Sequence, residues 1–423
     1  MISLVKSKIY FDLTELFTAS SKFRYYGIAR VVQEIAIELH RIESGIRYVV
    51  YSPGHRRFFE VSPTFPESDA AANLILGIEG DGSPVRIRQT YHSKNLPGIL
   101  FERVLSRFCQ LIDLYRWRKA KIVLPEVDLS GAILVAAGRP KIIVEYLGAL
   151  NRLEPAVRFI PLLHDMIPLT DYGKTRPRGF TINFLNDNKK LISQAAVVLC
   201  NSKFTQTEIE RYEAIGLLPK TPSIIPIPLA HQCRRGEEIT ELTIPAEPYV
   251  LCVGSTIGRK NVECVFEALV SLAREGKPVP HLVLAGVYRG RIKKYLDKDV
   301  YSSIRDRVLF VPNPNQTDLV RLYENALALI LPSRLEGWGL PVGEALWLGT
   351  PALCADIPVL HEVAGDLGIY FSPSDPSALS TEIERISSDL RFRAALSNRI
   401  KQENRSLRTW RDVAQNLTDA VSI

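Results

Sequence analysis

Two glutamates eight positions apart are the clearest opening for chemistry in this 423-residue chain. They lie in Arg334-Leu-Glu336-Gly337-Trp338-Gly339-Leu340-Pro341-Val-Gly-Glu344, which follows the apolar run LALILP (327–332). Gly337 and Gly339 permit a tight turn, and Pro341 suits the start of a helix. A glycine-rich passage from strand to helix aims free backbone N–H groups at one point, a natural anion site. Glu336 falls in the loop. Glu344 falls in the first helical turn, where the helix dipole alone would also favour an acid. A second turn, Gly254-Ser255-Thr-Ile-Gly258-Arg259-Lys260-Asn261, also joins a strand to a helix. Its Arg259 and Lys260 either neutralise a phosphate or form a solvated basic turn.

In the first half, PLLHDMIPL sets His164 and Asp165 at the end of an apolar run. A buried, hydrogen-bonded histidine is the ordinary reading there. Ser202, in Cys200-Asn201-Ser202-Lys203-Phe204-Thr205, reads first as a helix N-cap. Two literal motifs fail on context. Asp297-Lys-Asp299 sits in the charged run RIKKYLDKD and reads as a solvated helix face, not a metal site. GIEGDG (77–82) lacks the strand and helix that a dinucleotide fingerprint needs.

The elements that position these residues alternate. In the second half, PYVLCVG (248–254), HLVLAG (281–286), RVLFV (307–311), LALILP (327–332), PALCA (351–355) and GIYF (368–371) are separated by helical patterns such as Val262 to Ala273 and Gln316 to Asn325. Strands without polar alternation, spaced by helices, predict a parallel sheet covered on both faces. The first half repeats this more loosely, through KIYFD (8–12), IRYVVY (46–51), AILVAAG (132–138), VRFIPLL (157–163) and AVVLC (196–200). Residues 52–97 read as an elaborated loop, and SIIPIPLA (223–230) with HQCRRGEEITE as a linker. The expected domains are 1–235 and 245–404, with a C-terminal helix at about 405–423 returning to the first.

Composition narrows the classes. Hydrophobic residues make up 46%, enough for a core in each half. The net charge of +7 suits anionic partners such as phosphates or a bilayer, and is too sparse for a dedicated nucleic-acid binder. The six cysteines form no CxxC pair, which predicts a reducing compartment without disulfides or a zinc site. MISLVKSKIYFDL lacks the apolar core of a signal peptide, and no apolar run approaches the ~20 residues of a membrane span. The expected location is cytoplasmic, with a peripheral place on the cytoplasmic face of the membrane left open. No GxGxxG follows the first strand of either half, which argues against a dehydrogenase. No pyridoxal-phosphate lysine site supports a phosphorylase.

The segments SRLEGWGLPVGEAL and GTPALCAD resemble the E-x7-E signature of family 4 glycosyltransferases with the GT-B fold. The resemblance is specific in residues 248–375 and extends over most of the chain. It implies an α/β architecture of two Rossmann-like doubly wound domains facing each other across a cleft. It also implies a nucleotide diphosphate sugar as donor, no further cofactor and no metal. The implied reaction is retaining transfer of a hexose to a glycan or lipid-linked oligosaccharide in polysaccharide biosynthesis. The HDMIP and RKN forms look most like mannosyl- and rhamnosyl-type enzymes, so GDP-mannose is favoured, with UDP- and dTDP-sugars open. By this resemblance Glu336 contacts the transferred sugar, Glu344 the ribose, and the backbone of Gly339 and Leu340 the diphosphate. Gly254, Ser255, Val311, Ser333, Gly337 and Trp338 complete the donor site. Lys260 and Arg259 serve the leaving diphosphate. Family members commonly carry an arginine directly after the first glycine, where this chain has Ser255. Lys260 therefore carries over more directly than Arg259, which acts as a substitute. His164 faces the sugar, and Gly27, Arg30, Asp165 and Ser202 lie on the acceptor side. For Arg30, plain surface placement is equally open. Two alternatives stand beside this reading: a catalytically degenerate sugar-nucleotide-binding scaffold of a polysaccharide assembly complex, and a GT-B epimerase.

One further pattern falls at 99–121. Phe101, Val104, Leu105, Phe108, Leu111, Ile112 and Tyr115 recur at helical spacing. Arg103, Arg107, Arg116, Arg118, Lys119 and Lys121 flank them, opposed by Glu102 and Asp113. Such a helix either packs on its own domain or lies on an anionic bilayer.

Overall fold

The computed structural model describes residues 8–18, 27–68, 74–78, 82–85, 96–170, 178–236, 242–254, 257–286 and 290–422. They divide into two compact units. One runs to Pro228 and includes Arg411–Ile423; the other is essentially Leu229–Trp410.

The first unit holds an eight-stranded sheet. Its strands are β1 (Ile9–Asp12), β2 (Arg47–Ser52), β3 (Arg57–Val61), β4 (Glu126–Val127), β5 (Ile133–Ala136), β6 (Arg158–Leu163), β7 (Val198–Cys200) and β8 (Ile224–Pro226). Their order is β4-β3-β2-β1-β5-β6-β7-β8. From β2 to β8 all neighbours are parallel, whereas β3 and β4 add antiparallel. The inner strands carry apolar residues on both faces; Val49, Leu134, Val135, Ile160 and Leu162 are fully buried. Helices cover them because a parallel sheet has no wet face.

The second unit holds six strands: β9 (Tyr249–Val253), β10 (His281–Gly286), β11 (Val308–Pro312), β12 (Ala328–Leu331), β13 (Ala352–Ala355) and β14 (Ile369–Phe371). All pair in parallel in the order β11-β10-β9-β12-β13-β14. Connections from β9 to β11 run outward on one side. The chain then returns to lay β12 against the other side of β9, so the order reverses between β9 and β12.

The apolar runs read from the sequence coincide with strands. Two assignments need correction. The segment 52–97 is not all loop, since Arg57–Val61 doubles back on β2 after a turn at Pro53-Gly54. Ile224–Pro226 is an edge strand rather than linker; an edge tolerates the proline that a central strand would exclude. The two compact units meet at 228/229 and 410/411, close to the expected 235, 245 and 404. The described part of the supposed linker, Leu229–Gly236, belongs with the second unit. There His231 is buried, and Gln316 Nε2 donates to the Arg234 carbonyl at 2.9 Å.

Among the described residues no helix is long and apolar enough to cross a membrane.

Candidate active site

At the carboxyl edge of the second sheet, the loops after β9 and β12 come together where the strand order reverses. In open α/β sheets this reversal leaves a crevice that ligands use. Gly254 leaves β9 with φ +73. The loop then closes on Asn261, which adopts a left-handed conformation (φ 53, ψ 34) just before the helix Val262–Arg274. Asparagine is among the few side chains that tolerate this. Asn261 is wholly buried and ties three segments together. Its Nδ2 donates to the carbonyls of Pro332 (3.0 Å) and Pro373 (2.9 Å), and its Oδ1 accepts from Arg334 at 2.8 Å. The backbone N–H of Arg334 donates to the Arg259 carbonyl at 2.9 Å. The two loops are thereby locked in register.

That lock presents an ion cluster. Lys260 Nζ donates to Glu336 Oε1 at 2.6 Å, and Arg259 Nη1 lies 3.2 Å from Glu336 Oε2. Arg259 also donates to the Leu335 carbonyl. Glu336 is only 8% exposed. Burial pushes its carboxyl up, but the charges of Lys260 and Arg259 and the Lys260 hydrogen bond outweigh it and hold the carboxyl at about 2. The group is ionised throughout the neutral range.

Beyond Glu336 the chain passes Gly337 and buried Trp338 and enters the helix Leu340–Trp347 at Gly339. Gly339 has φ +116, and a Cβ there would stand 2.6 Å from Leu360 Cδ2. Only glycine fits this corner without displacing a neighbour. The helix start presents the backbone N–H of Leu340 without an N-cap side chain. Glu344 is buried, and its Oε2 accepts from the Tyr323 hydroxyl at 2.7 Å. Gly343 lets the chain at His231 pass closely, since a Cβ would stand 3.1 Å from His231 Cα. The strand ends bring Gly254, Ser333 and Val311 to the same edge; Ser333 is fully buried and Val311 partly so. Ser255 lies outside the described residues.

The remaining candidates belong to the first unit. His164 follows β6 and is 8% exposed. Its Nε2 faces the Ala137 carbonyl at 2.6 Å, so that nitrogen carries the proton. Burial lowers its pKa to about 4 against the opposing effect of this bond. It is a neutral imidazole at pH 7. Asp165 accepts from the N–H of Ile167 at 3.0 Å. Gly27 opens the helix Gly27–Arg41 with φ +59. Surface placement for Arg30 is corrected: it is 5% exposed, with Nε 3.9 Å from the buried Glu34 carboxylate. Ser202 is a fully buried N-cap whose Oγ accepts from the N–H of Thr205 at 2.9 Å. Its oxygen serves the helix, as the N-cap reading of the sequence expects.

Sequence reasoning passed over several residues. Asn261 stood in the quoted turn, but its bracing role depends on distant carbonyls. Tyr323 lies in a helix with no local mark. At the carboxyl edge of the first sheet, Asp12 and Glu15 are both buried. Burial raises Asp12 to about 6 although Thr14 and Tyr146 donate to it. Glu15 accepts from the Arg139 N–H at 2.9 Å and from its Nε at 2.7 Å. The signal for these was two acids beside an apolar strand in IYFDLTE. Among the described residues no group of three or more His, Cys, Asp or Glu is arranged to hold a metal ion. Asp297 and Asp299 are exposed, the first just past the short helix Gly290–Leu296 and the second opening the 3-10 turn before β11.

Residues 235–403 match the family model of the group 1 glycosyl transferases. The second unit is a glycosyltransferase group 1 domain. Curated relatives align over part of the chain. The O-antigen chain mannosyltransferase B of Escherichia coli is 36% identical over 139 residues, 32% of this chain and 35% of that protein. The chain thus aligns with about a third of that relative's length. Solved structures reach further. A sucrose-phosphate synthase from Thermosynechococcus elongatus superimposes with a TM-score of 0.65 at 18% identity, covering 98% of each chain. Anabaena HepE in complex with UDP and glucose gives 0.60 at 16% identity, covering 99% of this chain and 100% of the other. At such identities the likeness carries the fold: two parallel-sheet Rossmann-like units of the GT-B type, as the E-x7-E pattern implied. Within the group 1 domain, the quoted pattern is the loop and helix start that hold Glu336 and Glu344.

Proposed function

We propose that this chain is a retaining, metal-independent glycosyltransferase. It would move a hexose, with mannose favoured, from a nucleotide diphosphate sugar to a glycan or lipid-linked glycan acceptor in polysaccharide synthesis. The observation that carries the proposal is the Lys260–Glu336–Arg259 cluster at the reversal point of the group 1 domain. The physical problem is to break a bond between an anomeric carbon and a diphosphate. Positive charge develops on the sugar and negative charge on the leaving group, and preorganised charges of both signs lower the barrier. Glu336, held ionised, serves the sugar. Lys260 and Arg259 serve the diphosphate together with the N–H groups at Gly339 and Leu340. Glu344, already oriented by Tyr323, serves the ribose. A mannosyl donor is supported by the similarity to an O-antigen mannosyltransferase. GDP-mannose is the first donor to try, with UDP-sugars next because HepE binds UDP. In the front-face route favoured here, the leaving phosphate accepts the acceptor's hydroxyl proton while the new bond forms on the same face.

The deciding experiment screens GDP-, UDP- and dTDP-sugars for binding and turnover with and without EDTA. Transfer should persist in EDTA. Lys260→Ala should lose about 100-fold or more in kcat/KM, as when one electrostatic donor is removed. A strict requirement for Mn²⁺ or Mg²⁺ would overturn the metal-independent assignment. Tight donor binding without transfer to any acceptor would replace the enzyme by a scaffold.

A further inference from the structure

The helix Leu96–Lys119 of the first unit is attached by one side only. Cys109, Asp113 and Trp117, spaced one turn apart, are its buried residues among those described. The Trp117 ring packs against Phe59 and Phe17, with centroids 5.0 and 6.1 Å away, and its Nε1 donates to the Gly82 carbonyl at 2.9 Å. Asp113 accepts from the N–H of Val85 at 2.8 Å. Gly54 allows the helix this close, since a Cβ there would stand 3.0 Å from Asp113 Cβ.

The opposite side carries Leu100, Phe101, Val104, Phe108, Leu111 and Tyr115, each 60–65% exposed. At 3.6 residues per turn they occupy one sector roughly 100° wide and about 22 Å long. Five of the seven apolar residues in the sequence pattern therefore point outward, while Leu105 and Ile112 are half-buried beside the stripe. Exposed Arg103, Arg107, Arg118 and Lys119 border it, and exposed Lys121 follows. The acids Glu102 and Asp113 project from the anchored side of the helix. Elsewhere exposed large hydrophobics are scattered, as at Ile215 and Leu390, which is ordinary for a soluble surface. A contiguous apolar stripe with a basic margin is not.

We propose that this stripe docks on the surface of an anionic lipid bilayer. The six apolar side chains would enter the boundary between headgroups and acyl chains, and the arginines and lysines would meet lipid phosphates. Charge complementarity selects this occupant. A second copy of the stripe would bring like-charged margins together, whereas an anionic surface neutralises them. The inference is independent of the transferase reading, and its test uses no turnover.

The test is flotation of the full chain with vesicles of phosphatidylcholine, with and without phosphatidylglycerol. The chain should float only with the anionic vesicles, and less as salt is raised. A Phe108→Trp variant should show a blue shift in emission on adding those vesicles, because the new indole leaves water. The combined variant Phe101→Ser, Phe108→Ser, Leu111→Ser alters only exposed side chains. It should keep its circular dichroism and lose about tenfold or more in partitioning. Arg103→Glu with Arg107→Glu should lose a similar amount. No flotation, equal flotation with neutral vesicles, or undiminished flotation of the triple variant would overturn the proposal. So would a Phe108→Trp blue shift that needs only high protein concentration, which would assign the stripe to a second copy.

Discussion

After β7 the chain turns into a helix through Asn201 and Ser202; after β9 it does so through Arg259, Lys260 and Asn261. In the first turn the polar groups serve one another. Ser202 caps the helix, its hydroxyl donates to Thr205 Oγ1 at 3.0 Å, and Thr205 donates to Asn201 at 2.9 Å. In the second, Asn261 holds two distant carbonyls and the Arg334 side chain, while Arg259 and Lys260 reach across to a carboxylate 77 and 76 residues away. Each turn follows an apolar strand of a parallel sheet. One spends its polar atoms on local structure; the other holds charge at a crevice. A strand-to-helix turn therefore becomes a candidate site when its side chains are satisfied by distant partners at a reversal of strand order.

The largest effect expected from breaking this contrast lies at Glu336. Glu336→Gln should lower kcat by about 100-fold or more with little change in donor KM, whereas Glu344→Gln should chiefly raise KM. Calorimetry with the product nucleotide diphosphate separates them further. Binding should survive Glu336→Gln and weaken in Glu344→Gln, because that ligand has a ribose and no sugar. Wild-type kinetics in both variants would reduce the pair to structure.

Acid titration is the next largest test. His164 is depressed to about 4 from 6.5, so its contribution is fully present above pH 6.5 and is lost as pH falls towards 4. Glu336 is depressed to about 2 from 4.5, so its contribution is present above pH 4.5 and is lost as pH falls towards 2. Each shift corresponds to about 3 kcal/mol at most. The stability difference between wild type and His164→Asn should therefore change across pH 6.5 to 4, and that for Glu336→Gln only below 4.5. Denaturant midpoints measured over this range check both; coincident profiles would contradict the assignments.

Smaller effects compare the turns directly. Asn261→Ala removes two bonds to backbone carbonyls and strands Arg334, which should cost about 2 kcal/mol of stability and also weaken donor binding. Ser202→Ala removes one cap and should cost about 1 kcal/mol, leaving donor binding unchanged. A donor-affinity loss in Ser202→Ala as large as in Asn261→Ala would erase the distinction.

The legible parts of this molecule are those that depend on neighbours in the chain. Continuous apolar runs mark β9 to β14 because a covered parallel sheet demands them. The Glu336–Glu344 loop shows itself through glycine and proline. β8 was hidden because its proline, Pro226, belongs to an edge, and edges are defined by which strands pair, not by composition. The outward stripe on Leu96–Lys119 was visible as a pattern, but its direction depends on Trp117 and Asp113 finding partners at Gly82 and Val85. Asn261, Tyr323 and the Asp12–Tyr146 contact act through residues far along the chain, so local patterns gave no sign of the partners they find.

The 2.6 Å contact between Lys260 and Glu336 has a bearing on selectivity. An empty pocket lined by two bare cations would attract every small anion in its surroundings. Here a tethered carboxylate already occupies them, acting as a resident counter-ion at very high local concentration. A lone monoanion must compete with that resident and gains little. A ligand carrying several negative charges, with further groups for the helix start and for Glu344, can displace or share it. The threshold for entry is thereby set by the combined reach of the ligand rather than by charge alone.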